Sequence, residues 1–386
     1  MKLAFYYHIP ILKIGNKIKV PSFFAKFFES LAFEVDELYL LMHECNSNEE
    51  KLADTFLISK NIHWINLGFK THFLHRLIFH KKILFDKMKA IHKCEVLIVR
   101  SPTPLAPFFY KYISNKKIYF LIVGDYSEGI KHFKFNNLKY FPNLLMHKYF
   151  TILFNAQLSK NDLIVNSHKL YNKYKKVSKK ILLIKTSTLS KSDFFYRTDT
   201  CEKDRINLLY TGRLDFSKGL IELFKSVYLI RRQNYNVHLN IAGKDNSRKK
   251  IVYTKLVNLA KELNISDFIN FHGWLSAGKN LNRLYRKSDI YIIPSYHEGF
   301  PRSIWEALAN SLPVISTDVG GIPYYLKDKH SAILIKPKDE NEIVSAVINL
   351  INDSDLRKKI ISNGIEIAKD ADNSIQNKKI ISFFKN

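Results

Sequence analysis

Short apolar runs of four to six residues recur along this 386-residue chain, and most are followed by a longer amphipathic stretch. Such a run suits a buried strand and the stretch after it a helix, so the pattern implies β-α-β units and parallel sheets. In the first half the strands fall at Lys2–Tyr7, Glu37–Leu41, Val96–Val99, Ile118–Val123, Leu163–Val165 and Ile181–Ile184. In the second half they are cleaner: Ile206–Tyr210, Val237–Ala242, Ile269–His272, Ile290–Ile293, Val314–Ser316 and Ala332–Ile335. Helical periods are clearest at Pro21–Ala32, His75–His92, Gly219–Ile230 and Ser303–Asn310. The polar segment Ser192–Arg205 follows neither period and marks a boundary. The expected division is an N-terminal domain 1–195 and a C-terminal domain 196–373, with a last amphipathic helix, 374–386, packing back on the first. The fold class is α/β: two Rossmann-like domains facing each other across a cleft, with ligands at the carboxyl ends of the strands.

Hydrophobic residues make up 46% of the chain, enough for a core in each half and against disorder. The formal charge is +26. Residues 1–199 hold 32 Lys/Arg and 15 Asp/Glu, a net of +17, and residues 200–386 hold 29 and 20, a net of +9. That field favours anionic partners: nucleic acid, anionic lipid or phosphate-bearing small molecules, although a lysine-rich proteome would raise the total without any such partner. Three cysteines, Cys45, Cys94 and Cys201, form no CxxC pair, so neither a disulfide framework nor a zinc knuckle is indicated and a reducing cytoplasm fits. The apolar stretch at the start is too short for a signal peptide, and no run approaches a membrane span. A cytoplasmic protein, soluble or peripheral on the inner face of the cell membrane, is expected.

The strongest chemistry lies in Asp289–Leu326, DIYIIPSYHEGFPRSIWEALANSLPVISTDVGGIPYYL. The strand Ile290–Ile293 ends in a loop holding Ser295, Glu298, Gly299 and Phe300. Pro301 then suits a first helical turn, where its missing N–H costs nothing. Backbone N–H groups from Gly299 to Ser303, with the positive end of the helix dipole, form a phosphate site. Glu298 in the loop and Glu306 on the helix need not meet as an acid/base pair. They can flank one extended ligand and accept hydrogen bonds from hydroxyls at two places along it.

This segment resembles the retaining glycosyltransferases of GT-B fold, specifically glycosyltransferase family 4 (the group-1 transferases). The resemblance rests on Glu298, seven residues, Glu306, then Ala307, Ala309, Pro313, Val314, Thr317, Gly320, Gly321, Ile322 and Pro323. Glu-x7-Glu alone would arise often by chance; the whole string is specific, against the bland alternative of a β-α-β unit with two surface glutamates. The resemblance implies that Glu306 binds the ribose hydroxyls of a nucleotide and Glu298 the hydroxyls of a donor sugar. It also places the amides of Gly299 and Phe300 against the sugar or diphosphate.

A second string, Tyr210–Leu220 (YTGRLDFSKGL), follows the first strand of the second half. Gly212 permits a sharp turn, and Arg213 and Lys218 can both reach one diphosphate around it, or else be solvated loop charges. The same Gly-Arg-Leu…Lys-Gly string stands in the family, and by that resemblance Arg213 and Lys218 stabilise a departing diphosphate. Trp274, ending Phe271–Trp274, could stack on a base or be a buried structural residue. The family's Gly-Gly loop after the first strand is replaced here by HIPILKIGN, where Gly15 is the candidate for close approach to phosphate. Arg100, Asp125 and Glu128, at strand ends of the first half, are acceptor-side candidates or surface groups.

Asp353-Ser354-Asp355 spells a DxD string, but its place before LRKKI suits a helix cap. No metal and no cofactor is expected; cations and a helix terminus would neutralise charge instead. His72, His75 and His80 read as surface groups on a basic helix. The basic stretches Phe69–Lys93 and His132–Phe150 suit an anionic membrane or, equally, a domain core with solvated lysines. The expected activity is retaining transfer of a hexose-type sugar from a nucleotide-diphosphate sugar, UDP foremost, to a glycan or lipid-linked acceptor in surface polysaccharide synthesis. The alternatives are a nucleotide-sugar epimerase or phosphorylase of the same fold, or a basic nucleic-acid-binding protein. No nucleic-acid motif supports the last.

Overall fold

Alternation along the first strand sets the layering of the first unit. The computed structural model describes all residues except 48, 51–52, 70–80, 104, 107–108, 110–115, 125–140, 248 and 386. The chain divides into two units, Met1–Thr186 with Ser374–Asn386, and Ser187–Asn373. The first unit runs β1 (Lys2–Ile14), β2 (Lys17–Val20), α1 (Ser22–Phe33), β3 (Glu37–Glu44), β4 (Thr55–Phe56), β5 (Ile62–Phe69), α2 (Lys81–Met88), β6 (Val96–Ser101), β7 (Lys117–Ile122), α3 (Phe141–Leu158), β8 (Asp162–Val165), α4 (His168–Tyr174) and β9 (Ile181–Leu183). Leu3 and Phe5 enter one core with Phe24 and Phe28 of α1. Ala4 and Tyr6 enter another with Leu84 of α2 and Phe154 of α3. Successive side chains point to opposite faces of a strand, so this sheet is covered on both sides.

The parallel sheet has the order β5-β3-β1-β6-β7-β8-β9. Ile380, Ile381 and Phe384 of the closing helix Asn373–Lys385 pack into the α1 face. The Phe384 ring lies 4.4 Å from that of Tyr119. Two features depart from the expected strands. The segment after Tyr7 is not a loop: β1 continues to Ile14 and turns through Gly15 and Asn16 into antiparallel β2. The β1–β3 register slips between Tyr6 and Pro10, where the proline cannot donate to the ladder. Ile11 beyond the slip is fully buried and keeps the strand in place. Strands β4 and β5 are also not among the expected strands.

The second unit contains β10 (Ile206–Thr211), α5 (Leu220–Arg232), β11 (Val237–Ala242), α6 (Ile251–Glu262), β12 (Ile269–Gly273), α7 (Lys279–Arg286), β13 (Ile290–Ile293), α8 (Arg302–Ala309), β14 (Val314–Thr317), β15 (Ile333–Ile335), α9 (Glu340–Asn352) and α10 (Ser354–Lys369). Its strands lie in the order β12-β11-β10-β13-β14-β15, all parallel, which is the doubly wound order. The strands are added outward on one side from β10 to β12 and on the other from β13 to β15, and the switch point between β10 and β13 is where such a sheet opens a ligand crevice.

The units part at Thr186/Ser187 rather than at 195/196. Residues beyond Ser187 are tied into the second unit by specific bonds. Asn373 N–H donates to the Leu189 carbonyl at 3.0 Å, Asn282 to Asp193 at 2.8 Å and Arg197 to the Ser288 carbonyl at 2.8 Å. Arg357, 5% exposed, pairs with Asp199 at 2.8 Å. In the DxD string, Asp353 caps α10 by accepting from Leu356 N–H at 2.9 Å.

Candidate active site

Strands β10 and β13 are parallel neighbours, Leu208 opposite Ile290, so both glutamate- and lysine-bearing strings leave the sheet at the switch point. After β10, Gly212 and Arg213 lead to Asp215, whose carboxylate accepts from Ser217 N–H (2.9 Å) and Ser217 Oγ (2.6 Å). Those two donors hold the Asp215 pKa below its ordinary value. The short turn Phe216–Lys218 then ends at Gly219, φ +65°, which opens α5. A Cβ on Gly219 would sit 2.0 Å from the Pro294 carbonyl oxygen, so only glycine lets the two loops lie together. Tyr296 N–H donates to the Ser217 carbonyl at 2.8 Å and fastens them.

That contact brings Lys218 to Glu298. Lys218 Nζ lies 2.5 Å from Glu298 Oε1, with the two side chains 13% and 12% exposed. Ser295 Oγ donates to the same oxygen at 2.8 Å. The β14 loop closes the third side: a Cβ on Gly320 would fall 1.7 Å from the Glu298 carbonyl oxygen, and Gly321 N–H donates to the Gly299 carbonyl at 2.6 Å. Glu298 therefore has its backbone and Oε1 fixed from three strand ends. Among the described residues Oε2 has no hydrogen-bond partner, and the exposed Arg213 guanidinium has neither hydrogen bond nor ion pair.

Helix α8 starts after Pro301 with no side-chain cap, which leaves its first-turn amides uncapped by any side chain. Phe300 stacks on buried Trp305 at 4.1 Å and so sets the loop against the helix; Ser303 is half-buried in the first turn. Glu306, one turn further, accepts from Thr188 Oγ1 at Oε1 and from Tyr285 OH at Oε2, the latter at 2.9 Å. Tyr285 is fully buried, and burial with the neighbouring Glu306 charge pushes its pKa well up, so its hydroxyl stays a donor.

The structure thus gathers Gly212, Arg213, Lys218, Ser295, Glu298, Gly299, Phe300, Pro301, Ser303 and Glu306 around the carboxyl ends of β10 and β13. Trp274 follows β12 at the same edge of the sheet and is 59% exposed, which overturns the buried alternative for it. Two further candidates, Gly15 and Arg100, belong to the first unit. Gly15 is a hairpin-turn residue at φ +57°, with nothing within 4 Å of where a Cβ would stand. Arg100 on β6 lies against the Tyr7 and Phe24 rings, 4.4 and 4.7 Å from their centroids. Asp125, Glu128, His72, His75 and His80 lie outside the described residues, as do parts of both basic stretches. Thr188 and Tyr285 escape sequence reading. Thr188 stands 118 residues from its partner, and only the burial of Tyr285 in the apolar stripe of α7 hints at a role.

Burial pushes the Cys45, Cys94 and Cys201 thiols up to about 11, so none presents a ready thiolate nucleophile. No helix among the described residues is long and apolar enough to cross a membrane. What the cluster offers is two cations, a carboxylate oxygen and a helix start at one crevice, suited to a polyhydroxylated anion.

Residues 196–367, within the second unit, match the family described as "Glycosyl transferases group 1". It is similar to Protein CapJ of Staphylococcus aureus, 26% identical over 99% of this chain and 91% of that one. It is also similar to the capsular polysaccharide biosynthesis glycosyltransferase CapM of the same organism, 25% identical over 73% of this chain and 74% of that one. Among solved structures, Anabaena Alr3699/HepE in complex with UDP superposes with a TM-score of 0.74 at 14% identity, covering 100% of both chains. The fold is GT-B.

Proposed function

We propose that this chain moves a hexose-type sugar from a UDP-sugar to a hydroxyl of a glycan or lipid-linked acceptor, with retention at the anomeric carbon, in the assembly of a surface polysaccharide. The observation that carries the proposal is Lys218 held on Glu298 at the β10–β13 switch point, with one carboxylate oxygen left over. Arg213, Lys218 and the amides from Gly299 to Ser303 take up the charge that grows on the leaving diphosphate. The spare oxygen of Glu298 accepts from a sugar hydroxyl, and Glu306 accepts from the ribose. Trp274 is free to lie on the base. The acceptor hydroxyl attacks and its proton passes to the leaving phosphate oxygen, so no covalent nucleophile on the protein is needed. Charge neutralisation by side chains and helix start makes a metal unnecessary in this scheme; the Asp353 carboxylate is engaged in capping α10.

The UDP assignment draws support from the UDP- and UDP-glucose-bound forms of HepE, and the polysaccharide assignment from the name of CapM. The basic first unit would bring an anionic acceptor or an anionic membrane to the enzyme. A thermal-shift series with UDP-, GDP-, ADP- and TDP-sugars tests the donor: a UDP-sugar is expected to raise the melting temperature, and Lys218→Met and Glu306→Ala to remove most of that rise. Transfer to a cell-extract acceptor should fall by roughly a hundredfold in Lys218→Met. Stabilisation by none of these donors, with activity unchanged in Glu306→Ala, sinks the proposal. Proton NMR of the product decides retention, since an α-linked donor must give an α-linked product.

A further inference from the structure

The carboxylate of Glu306 is gripped from two segments that no motif connects. Thr188, in the polypeptide entering the second unit, is 3% exposed and gives its hydroxyl to Oε1. Tyr285, near the end of α7, is fully buried and gives its hydroxyl to Oε2 at 2.9 Å. Behind Tyr285 stands Thr211, the last residue of β10, whose Oγ1 is 2.6 Å from the tyrosine hydroxyl and 3.3 Å from that of buried Tyr291. A glutamate on a helix surface ordinarily samples several rotamers; one donor on each oxygen selects a single plane for this carboxylate.

We infer that Thr188 and Tyr285 are positioning residues that hold the Glu306 carboxylate in the one orientation that accepts both hydroxyls of a ribose diol, and so set the preference of the site for a ribonucleotide over a nucleotide lacking those hydroxyls. This rests on the assignment of Glu306 to the nucleotide ribose made above. Geometry supplies the reason: a vicinal diol offers two O–H donors at fixed separation, and only a carboxylate turned edge-on meets both. Burial and the neighbouring Glu306 charge push the Tyr285 pKa well up, which keeps its hydroxyl protonated and a donor.

The test compares UDP with 2′,3′-dideoxy-UDP by calorimetry on the full chain, together with KM and kcat for UDP-glucose. The unsubstituted chain should prefer UDP by at least about thirtyfold, the value of two charge-assisted hydrogen bonds less their solvation. Glu306→Ala should abolish that preference. Tyr285→Phe and Thr188→Val should each cut it by about five- to tenfold, raise KM and leave kcat within about twofold. The dideoxy ligand should bind these two variants as it binds the parent. If Glu306→Ala keeps the preference, or the parent binds no UDP, the ribose assignment itself is wrong. If Glu306→Ala loses it but both hydroxyl variants keep it, the positioning role alone is overturned. Equal weakening of both ligands in the hydroxyl variants also overturns it, since that is the mark of general disruption. Should Tyr285→Phe melt early, Thr188→Val carries the comparison, with the parent's melting temperature as the control.

Discussion

The first six parallel strands of the two units lie in the same order, but among the described residues only the second unit packs glycines against carbonyl oxygens of other loops. In the second unit, Gly219, Gly243, Gly320 and Gly321 each stand where a Cβ would come within 1.7–2.1 Å of a backbone carbonyl oxygen of another loop. In the first, Gly15 and Gly68 have positive φ but nothing within 4 Å of the Cβ position. Gly15 and Gly68 therefore serve the turn they sit in, as Gly273 and Gly278 do in the second unit, while Gly219, Gly243, Gly320 and Gly321 let neighbouring strand ends touch. One strand order can carry either a set of independent loops or a single interlocked rim, and the strings bearing Lys218 and Glu298 stand on the rim.

Substitution at Gly320 should break that rim most severely. Alanine there meets the Glu298 oxygen at 1.7 Å with the backbone at φ +61°. A loss of about 4 kcal/mol is expected, from overpacking plus left-handed strain, together with loss of donor binding. Hydrogen exchange resolved by unit should show the loss in residues 187–373 and spare the first unit. Asp199→Asn comes next, at about 3 kcal/mol, because it strands a buried guanidinium.

The same pair predicts a pH effect. Burial raises the Asp199 pKa, but its bonds to Arg357 and to Thr200 N–H outweigh that and hold it below the ordinary 3.8. A carboxyl depressed in the folded state contributes stability that is present above pH 3.8 and is lost as pH falls through the folded value. Acid titration of the second unit should therefore be shallower below pH 4 in Asp199→Asn than in the parent.

Gly15→Ala should cost only about 1 kcal/mol, the strain of a positive φ without a clash, and leave donor binding as it was. A larger loss there would remove the contrast between the units. The smallest effect belongs to the thiols: Cys45 and Cys94 in the first unit and Cys201 in the second are all held at about 11, so iodoacetamide should label all three slowly at neutral pH. A fast label in one unit would report easier opening of that unit.

All six strands of the second unit's sheet could be placed within a residue, five of them because they are buried apolar runs; only Ile269 of the edge strand β12 is buried. The first unit was less legible for physical reasons. Pro10 interrupts the β1 pattern while Ile11 still finds a core, so the strand outlasts its own signal. Strand β5 alternates buried and exposed residues weakly, Ile62 and Ile65 inward with His63 outward. In the site, the loop residues followed from chemistry at short spacing. The Lys218–Glu298 bond spans 80 residues, and the Thr188–Glu306 bond 118. Such pairs are created by β-strand adjacency and by the entry of the linker, neither of which any local period encodes.

The entry of the chain into the second unit has a practical corollary for building hybrids. The segment matching the group 1 family starts at 196, yet Ser187, Thr188 and Asp193 already bond to Ala371, Glu306 and Asn282. A second unit transplanted onto another first unit at 196 would arrive with Glu306 half untied and buried Asn282 without its carboxylate partner. Grafts joined before Ser187 and after Asn373 carry the complete fastening with them, so the seam of a working chimera lies nine residues upstream of where family resemblance alone would cut.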